Sequence, residues 1–185
     1  MPKYDYSSLP LGPGSIRLLC LMPYKAEGME TTEIQCDLFE YPLQDHGKGT
    51  HLYEALSYVW GKPEKTQSIY VSGKEFRITA NLHTALIRLR DRFLQRILWV
   101  DAICINQENR EEQGQQVQLM AKIYSKAHRV IVWLGKEAVD TEGALEDICL
   151  TANEESIERS KKEINQQAIL NLLHGPWFQR IWVRE

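Results

Sequence analysis

Apolar and polar residues alternate with two different periods along the chain, and the change of period separates strands from helices. The candidate strands are short apolar runs bounded by glycine, proline and small polar residues. They cover residues 16–22, 33–39, 53–60, 68–71 and 75–79. The first two flank a polar loop and are predicted to pair as a hairpin. The last two flank Ser72 and Gly73, whose turn chemistry predicts a second, smaller hairpin.

A period of three to four residues begins at Asn81 and predicts two helices. Asn81 is the predicted N-cap of the first, because its side chain can accept a backbone N–H. The predicted buried stripe of this helix consists of Leu82, Ala85, Leu86, Leu89 and Phe93. The second helix is predicted to begin near Asn109, with Glu112 as a capping-box partner. Its predicted buried stripe consists of Val117, Met120, Ala121, Tyr124 and Ala127.

Further apolar runs alternate with these helices. Residues 97–105 are apolar except for Asp101, the pattern of a central strand with helices on both faces. Residues 129–134 predict another short buried strand, and residues 141–152 and 163–173 look helical. Helices and strands in alternation predict an α/β fold built on a mainly parallel sheet with right-handed crossovers.

The β-rich beginning and the α/β remainder indicate how the chain is divided. Residues 1–50 are predicted to form an N-terminal β extension and loop, and residues 51–185 the main domain. The smaller hairpin is then an insertion in the main domain. Residues 176–185 end without a stop signal, directly after an apolar and aromatic run. This ending predicts that the domain is cut short at its C-terminal end.

Composition and charge restrict the function classes. With 43% hydrophobic and 25% charged residues among 185, the chain has the composition of one folded domain, not of a disordered or fibrous protein. Its net charge is −3 and its basic residues are scattered, so nucleic acid is not an expected partner. The longest apolar runs are far shorter than the ~20 residues that cross a bilayer, and no secretory signal is visible. We therefore expect a cytoplasmic protein without a membrane partner.

The spacing of cysteines and histidines gives no support for metal or triad chemistry. The four cysteines form no CxxC pair. Three of them, Cys20, Cys36 and Cys104, lie in apolar runs, where a thiol is typically a small buried hydrophobe. The five histidines show no HExxH spacing, and no GxSxG or Walker-type loop occurs. We predict no metal site and no required cofactor.

Three blocks of the sequence together resemble the heterokaryon incompatibility (HET) domain of filamentous fungi. They are residues 53–61 (YEALSYVWG), 98–107 (LWVDAICINQ) and 177–183 (WFQRIWV). The resemblance extends over about residues 50–185. It implies a role in heterokaryon incompatibility, in which fusion of genetically different fungal cells triggers death of the mixed cell. It also implies that other modules follow the domain.

The HET family is in turn distantly similar to TIR domains, flavodoxin-like α/β modules that signal by self-association and in some members cleave NAD. This resemblance implies a TIR-like, mainly parallel sheet flanked by helices, with the N-terminal β extension and the inserted hairpin as additions. It implies self-association or another death-signalling protein as the partner, and NAD as a candidate substrate of the full-length protein. The competing function is a non-catalytic module that assembles with its own kind or recruits a death effector.

The ends of the core strands form the candidate ligand site, because open α/β sheets bind ligands at their carboxyl edge. Tyr58, Trp60 and Gly61 lie at the end of the first core strand. An aromatic face there can stack on a base, and a glycine can admit a phosphate. The alternative is that these aromatic residues belong to the core.

Asp101, Asn106 and Gln107 form a second group at the next strand end. Asp101 is a candidate for binding a ribose hydroxyl, and the two amides are candidates for reading a nucleobase edge. The alternative is structural. In that case Asp101 caps the backbone N–H groups of residues 104–107, and the amides fix the next helix.

The third block adds Arg180, Trp182 and Glu185. Arg180 is a candidate for holding a phosphate or, alternatively, for pairing with Asp101. The Trp182 segment resembles the TIR tryptophan motif, in which a glutamate four positions after the tryptophan is catalytic. Glu185 is the candidate catalytic residue of this chain, although it departs from that pattern because it follows Trp182 by three positions.

Overall fold

The computed structural model describes residues 3–26, 29–30, 33–43, 51–135, 170–171 and 173–179. The chain divides into two compact units, Met1–Trp133 and Leu134–Glu185. The sheet and the helices named below lie in the first unit. In the second unit, the rings of Trp177 and Phe178 meet edge to face with their centroids 5.0 Å apart.

Nine strands and four helical segments lie within the described residues of the first unit. The strands are β1 (Ser15–Leu21), β2 (Lys25–Ala26), β3 (Met29–Glu30), β4 (Gln35–Pro42), β5 (His51–Tyr58), β6 (Gln67–Val71), β7 (Lys74–Ile78), β8 (Arg96–Trp99) and β9 (Ala127–Trp133). The helical segments are a 3₁₀ turn (Tyr6–Ser8), α1 (Ala80–Leu89), α2 (Asp101–Cys104) and α3 (Arg110–Lys126).

Seven of the strands form one sheet in the order β7-β6-β4-β1-β8-β5-β9. Strands β8, β5 and β9 are parallel and form the core of the sheet, whereas β1 is antiparallel to both of its neighbours. The predicted fold class, an α/β sheet with a parallel core and flanking helices, is confirmed. The strands predicted within residues 1–50 are β1 and β4, and both belong to this sheet. Strands β2 and β3 form a separate ribbon.

Both predicted hairpins are confirmed. Strands β1 and β4 pair antiparallel along their length, beginning with Ser15 opposite Pro42. Strands β6 and β7 pair antiparallel around Ser72 and Gly73, and β7 forms an edge of the sheet. The two turn residues have positive φ angles of 49° and 74°. A two-residue hairpin turn of this kind requires such angles, and glycine adopts them without strain.

Helices α1 and α3 cover opposite faces of the parallel core. Tyr53 and Tyr58 are five positions apart in β5, so their side chains project to opposite faces of the sheet. The Tyr53 hydroxyl donates to the carbonyl of Ile123 in α3 at 2.6 Å. Tyr58 instead lines a cavity together with Leu82 of α1. Trp99 of β8 is fully buried in the core.

The first helix differs from its prediction at both ends. Its N-cap is Thr79, whose hydroxyl accepts the backbone N–H of Leu82 at 3.4 Å, so the prediction of Asn81 as the N-cap is wrong. The predicted stripe is buried at Leu82, Ala85 and Leu86. Phe93 is 68% exposed, which contradicts the prediction, because the helix ends at Leu89 and the chain turns before Phe93.

The buried face of α3 agrees with its prediction in part, since Ala127 is buried and Met120 and Tyr124 pack against the core, whereas Ala121 is exposed. Val117 was predicted to be buried and is 52% exposed. Gln116 and Ile123 are the buried residues of this helix, and Gln116 Nε2 donates to the carbonyl of Ser15 at 2.9 Å. Because Gln116 is polar, the apolar period alone gave no sign that this position is buried.

The apolar run 97–105, predicted as one central strand, is divided in the structure. Strand β8 ends at Trp99, and the short helix α2 begins at Asp101. Oδ1 of Asp101 accepts the backbone N–H of Ala102 at 2.7 Å, and the N–H of Cys104 bonds back four residues at 2.7 Å. The apolar residues after Asp101 favour a strand. The carboxylate of Asp101 accepts a backbone N–H at this point and so favours a turn instead.

The last predicted strand, residues 129–134, is observed as β9. Its predicted burial is wrong, because β9 lies at an edge of the sheet and Val130 and Val132 are 46% and 41% exposed. The predicted helix at residues 141–152 lies outside the described residues. Within the prediction for residues 163–173, the structure describes positions 170, 171 and 173, which are helical. In the described part of the chain, no helix combines the length and the apolar character needed to cross a membrane.

Two glycines provide a matched test of the backbone geometry. Gly73 has a φ of +74°, Gly114 lies inside α3, and neither has another group within 4 Å of an added Cβ. Gly73→Ala should lower the free energy of unfolding by about 1 kcal/mol, because an L residue is strained at positive φ. Gly114→Ala should raise it by about 1 kcal/mol, because alanine favours a helix. Urea unfolding measures both shifts, and shifts of the same sign would contradict the assigned turn.

Candidate functional site

Two of the predicted site residues meet at the carboxyl edge of the parallel core. Trp60 follows β5 and is 43% exposed, and Asp101 follows the neighbouring strand β8 and is 7% exposed. The indole Nε1 of Trp60 donates to Oδ2 of Asp101 at 2.9 Å. The other carboxylate oxygen accepts the N–H of Ala102. This charge-assisted bond joins the ends of two adjacent strands, so the carboxylate of Asp101 has a structural role.

Asn81 joins the ends of β5 and β9, a role that sequence reasoning missed. Its Nδ2 donates to the carbonyl of Val59 at 2.6 Å, and its Oδ1 accepts the indole Nε1 of Trp133 at 2.9 Å. Gly61 has a φ of +73°, and a Cβ at this position would lie 3.5 Å from the Cβ of Asn81. Glycine therefore lets the chain turn away from β5 close beside α1.

Asn106 and Gln107 fix the loop between α2 and α3. Gln107 Nε2 donates to the carbonyl of Asp101 at 2.9 Å, and its Oε1 accepts Nε2 of Gln113 at 3.1 Å. Oδ1 of Asn106 accepts the N–H of Glu108 at 3.1 Å. These contacts are the ones expected if the two amides fix the next helix instead of reading a nucleobase. Gln107 also lines the two cavities of this region.

A buried ion pair holds this loop against the sheet. Arg17 of β1 is 1% exposed and donates to Glu112 of α3 through both terminal nitrogens, at 2.5 and 3.2 Å. Glu112 also accepts the N–H of Asn106 at 2.8 Å. Asn109 is the N-cap as predicted, but its N–H bonds the carbonyl of Asn106 at 3.2 Å, so the capping-box role of Glu112 is wrong. Sequence reasoning missed Arg17, because a single arginine in an apolar strand gives no sign of being buried.

The N-terminal segment packs over the same ion pair. The guanidinium carbon of Arg17 lies 4.8 Å from the centroid of the Tyr6 ring. The Tyr6 hydroxyl donates to the carbonyl of Ile103 at 2.7 Å, and burial raises its pKa, so it remains protonated. Tyr4, Tyr6 and Phe76 of β7 meet edge to face, with centroids 5.1 to 6.2 Å apart. The segment is therefore fixed to both α2 and the small hairpin.

These contacts leave two adjoining cavities. The smaller, which we call the slot, has a volume of about 150 Å³ and is lined mainly by apolar side chains, with Tyr58 and Trp60 among them. The larger, which we call the groove, has a volume of about 430 Å³ and lies between the N-terminal segment, β7 and the loop at residues 106–108. Lys65, Arg77 and Gln107 line both cavities.

Two carboxylates of the groove, Glu75 and Asp5, have local partners, whereas the lysine that lines both slot and groove has none among the described residues. Glu75 accepts the Ser68 hydroxyl at 2.6 Å, and this bond holds the pKa of Glu75 below its ordinary value. Asp5 accepts the N–H and the hydroxyl of Ser7, which lower its pKa. Arg77 donates to the carbonyl of Lys65. Within the described residues the ammonium of Lys65 has no hydrogen-bond partner, so it can bind an anion.

The described cysteines do not supply a nucleophile. Cys20, Cys36 and Cys104 are free and buried, as predicted for small hydrophobes. Burial raises the pKa of Cys104 to about 12, so its thiol stays protonated at neutral pH. In the described ranges no three His, Cys, Asp or Glu side chains cluster in a way that could hold a metal ion. The other predicted site residues, Arg180, Trp182 and Glu185, lie outside the described residues.

Comparisons with known proteins agree on one family. The family model described as "Heterokaryon incompatibility protein (HET)" matches residues 53–185. "Heterokaryon incompatibility protein 6, OR allele" of Neurospora crassa is 37% identical over 171 residues, which cover 84% of this chain and 24% of that protein. The chain therefore spans about a quarter of the length of this relative. No solved structure matches the chain.

The buried pair between Arg17 and Glu112 gives a stability prediction. Glu112→Gln should lower the free energy of unfolding by about 3 to 5 kcal/mol, because it leaves the buried guanidinium without a charged partner. Arg77→Gln, at a pair whose side chains are 50% and 31% exposed, is the control and should cost at most about 1 kcal/mol. Urea unfolding compares the two. Equal losses would show that the Arg17 pair does not hold the loop.

Proposed function

Since the chain belongs to the heterokaryon incompatibility (HET) family, we propose that it is a signalling domain of fungal incompatibility, whose activation leads to death of a cell that has fused with non-self. The observation that carries the proposal is the meeting of two family-like blocks, residues 53–61 and 98–107, through the bond between Trp60 and Asp101. A bond between adjacent strand ends places both blocks at the edge where α/β sheets bind ligands.

The proposed ligand is NAD, with its nicotinamide ring in the slot. An apolar cavity of about 150 Å³ holds a ring the size of benzene, so the slot suits one six-membered ring and is small for a purine. Tyr58 and Trp60 supply aromatic surface to this ring. The groove, at about 430 Å³, falls in the size range of ordinary ligand sites and takes the rest of the dinucleotide.

The proposed phosphate contact is Lys65, which lines both cavities. A phosphate that leaves the slot toward the groove passes this side chain, and an ammonium binds phosphate as a point charge. Arg77 adds positive charge at the same junction. The three basic residues that line the groove, Lys3, Lys65 and Arg77, balance the charge of its three acids, Asp5, Glu75 and Glu108.

Cleavage of the glycosidic bond would need a carboxylate that stabilises an oxocarbenium-like centre. Glu185, the candidate from the sequence, lies outside the described residues. Asp101 is unsuited to the task, because Trp60 and Ala102 bind its two oxygens and the side chain is only 7% exposed. We therefore propose that this chain binds the ligand, and we assign the cleavage step to the full-length protein.

The second candidate is a non-catalytic module that assembles with its own kind or recruits a death effector. It is favoured by the same engagement of the carboxylates, because Asp5, Glu75 and Asp101 each have a structural partner. In this case the slot and groove have no part in killing, and the surface of the domain acts through another protein.

The ligand proposal predicts the effect of one lysine. Lys65→Gln should weaken NAD binding about tenfold, because one charged hydrogen bond to phosphate is lost. Lys62→Gln is the matched control, since Lys62 is exposed and lines neither cavity. Titration calorimetry of the chain measures both, and nicotinamide riboside, which lacks phosphate, should bind both variants equally. Equal weakening by the two variants, or no NAD binding, would contradict the proposal.

The role in cell death predicts the outcome of expression in a filamentous fungus. The full-length protein should kill the cells, Lys65→Gln should restore growth, and Lys62→Gln should kill like the parent. Cell viability and NAD content are followed together. A fall in NAD before death supports cleavage. Death with constant NAD and no effect of Lys65→Gln would favour the non-catalytic module, and a harmless protein would contradict the death-signalling role.

A further inference from the structure

The most exposed large apolar side chains of the described residues gather at the amino end of the parallel strands, opposite the slot and groove. Leu52 is 87% exposed, Leu94 69% and Phe93 68%. Leu52 lies at the beginning of β5, and the other two immediately precede β8. Scattered apolar residues on a surface need no explanation, whereas a group of them marks an interaction site.

Two of these residues, Leu52 and Leu94, line a cavity that we call the amino-end hollow. It has a volume of about 450 Å³, within the usual range for binding sites. Its apolar walls are Leu52, Leu94 and Ile97. Two arginines, Arg96 and Arg129, and two acids, Glu54 and Asp91, also line it. A concave site with apolar walls accommodates a protruding side chain of a partner.

The loop that carries Phe93 and Leu94 is held in place. Oδ1 of Asp91 accepts the N–H groups of both residues, at 2.7 and 2.9 Å. The carbonyl of Asp91 accepts the N–H of Tyr24 at 3.1 Å, and Arg96 donates to the carbonyl of Leu89 at 2.9 Å. The two apolar side chains are therefore presented to solvent by a fixed loop, which lowers the entropy cost of binding.

The charge of this surface is opposite to that of the chain. The chain has a net charge of −3, whereas residues 87–97 contain four arginines and one aspartate. The two acids that line the hollow are outnumbered by arginines, since Glu54 is shared by Arg96 and Arg129, and Asp91 lies between Arg90 and Arg92 in the chain. Arg129 is 62% exposed and bonds Glu54 through Nε, so its terminal nitrogens remain as donors for a partner.

We propose that the amino-end hollow binds an acidic segment of a partner protein, with one apolar side chain of that segment between Leu52 and Leu94 and its carboxylates on Arg129 and the neighbouring arginines. Because the surface is rich in arginine, its partner should carry negative charge. The concave shape favours a peptide side chain over the flat surface of a bilayer. The proposal goes beyond the death-signalling role and does not depend on the ligand in the slot.

The test uses three synthetic peptides and isotope-labelled chain. One peptide has a leucine flanked by glutamates, the second has the same leucine flanked by lysines, and the third has alanine in place of the leucine between glutamates. The first should shift the NMR signals of Leu52 and Leu94. The other two should bind at least about tenfold more weakly, because each lacks either the charge or the apolar anchor.

Variants locate the binding site. Leu94→Ser and Arg129→Gln should each weaken the first peptide about tenfold, and both positions are exposed enough for the fold to persist. Val117→Ser, at a position 52% exposed on α3, is the matched control and should bind like the parent. Equal binding of the acidic and basic peptides, or full binding by Leu94→Ser, would overturn the proposal. So would binding of the chain to phosphatidylserine vesicles, lost in Leu94→Ser, without binding of the acidic peptide.

Discussion

The burial of Arg17 is the constraint on which the rest of the structure depends. A guanidinium that is 1% exposed must be paired, because an unpaired charge in the interior is very costly. Glu112 supplies the pairing charge and also fixes the N–H of Asn106. The aromatic ring of Tyr6 covers the remaining face of the guanidinium. One charge thus joins β1, α3, the loop beside the slot and the N-terminal segment that walls the groove.

The sequence was sufficient to predict most strands and helices and the fold class. It was less able to predict which side chains bond each other. Hairpins, parallel strands and the cap Asn109 follow from local period and turn chemistry, which act over a few residues. The errors at Val117 and in the run 97–105 have a different origin. Each depends on a polar side chain, Gln116 or Asp101, whose partner determines the local structure. A hydrophobic period contains no information about such partners.

For the candidate site, likewise, the sequence predicted the location but not the bonds within it. Alternation of helices and strands was enough to place Trp60, Asp101 and Gln107 at one edge of the sheet, because carboxyl ends of parallel strands coincide. It could not reveal that Trp60 and Asp101 bond each other, or that Asn81 ties Val59 to Trp133. Lys65 was missed because its place beside the slot depends on how the small hairpin folds back, and no local pattern encodes that contact.

The central position of β1 has a consequence for the order in which the HET domain is built during synthesis. The antiparallel pair of β1 and β4 is complete once Pro42 has been made, whereas β5 finds its partner β9 only after Trp133. Pairings between residues so distant in sequence form slowly. The β8 side of β1 and the guanidinium of Arg17 therefore find their partners only after β8 and Glu112 have been made, so this strand edge is the last part of the early hairpin to be covered.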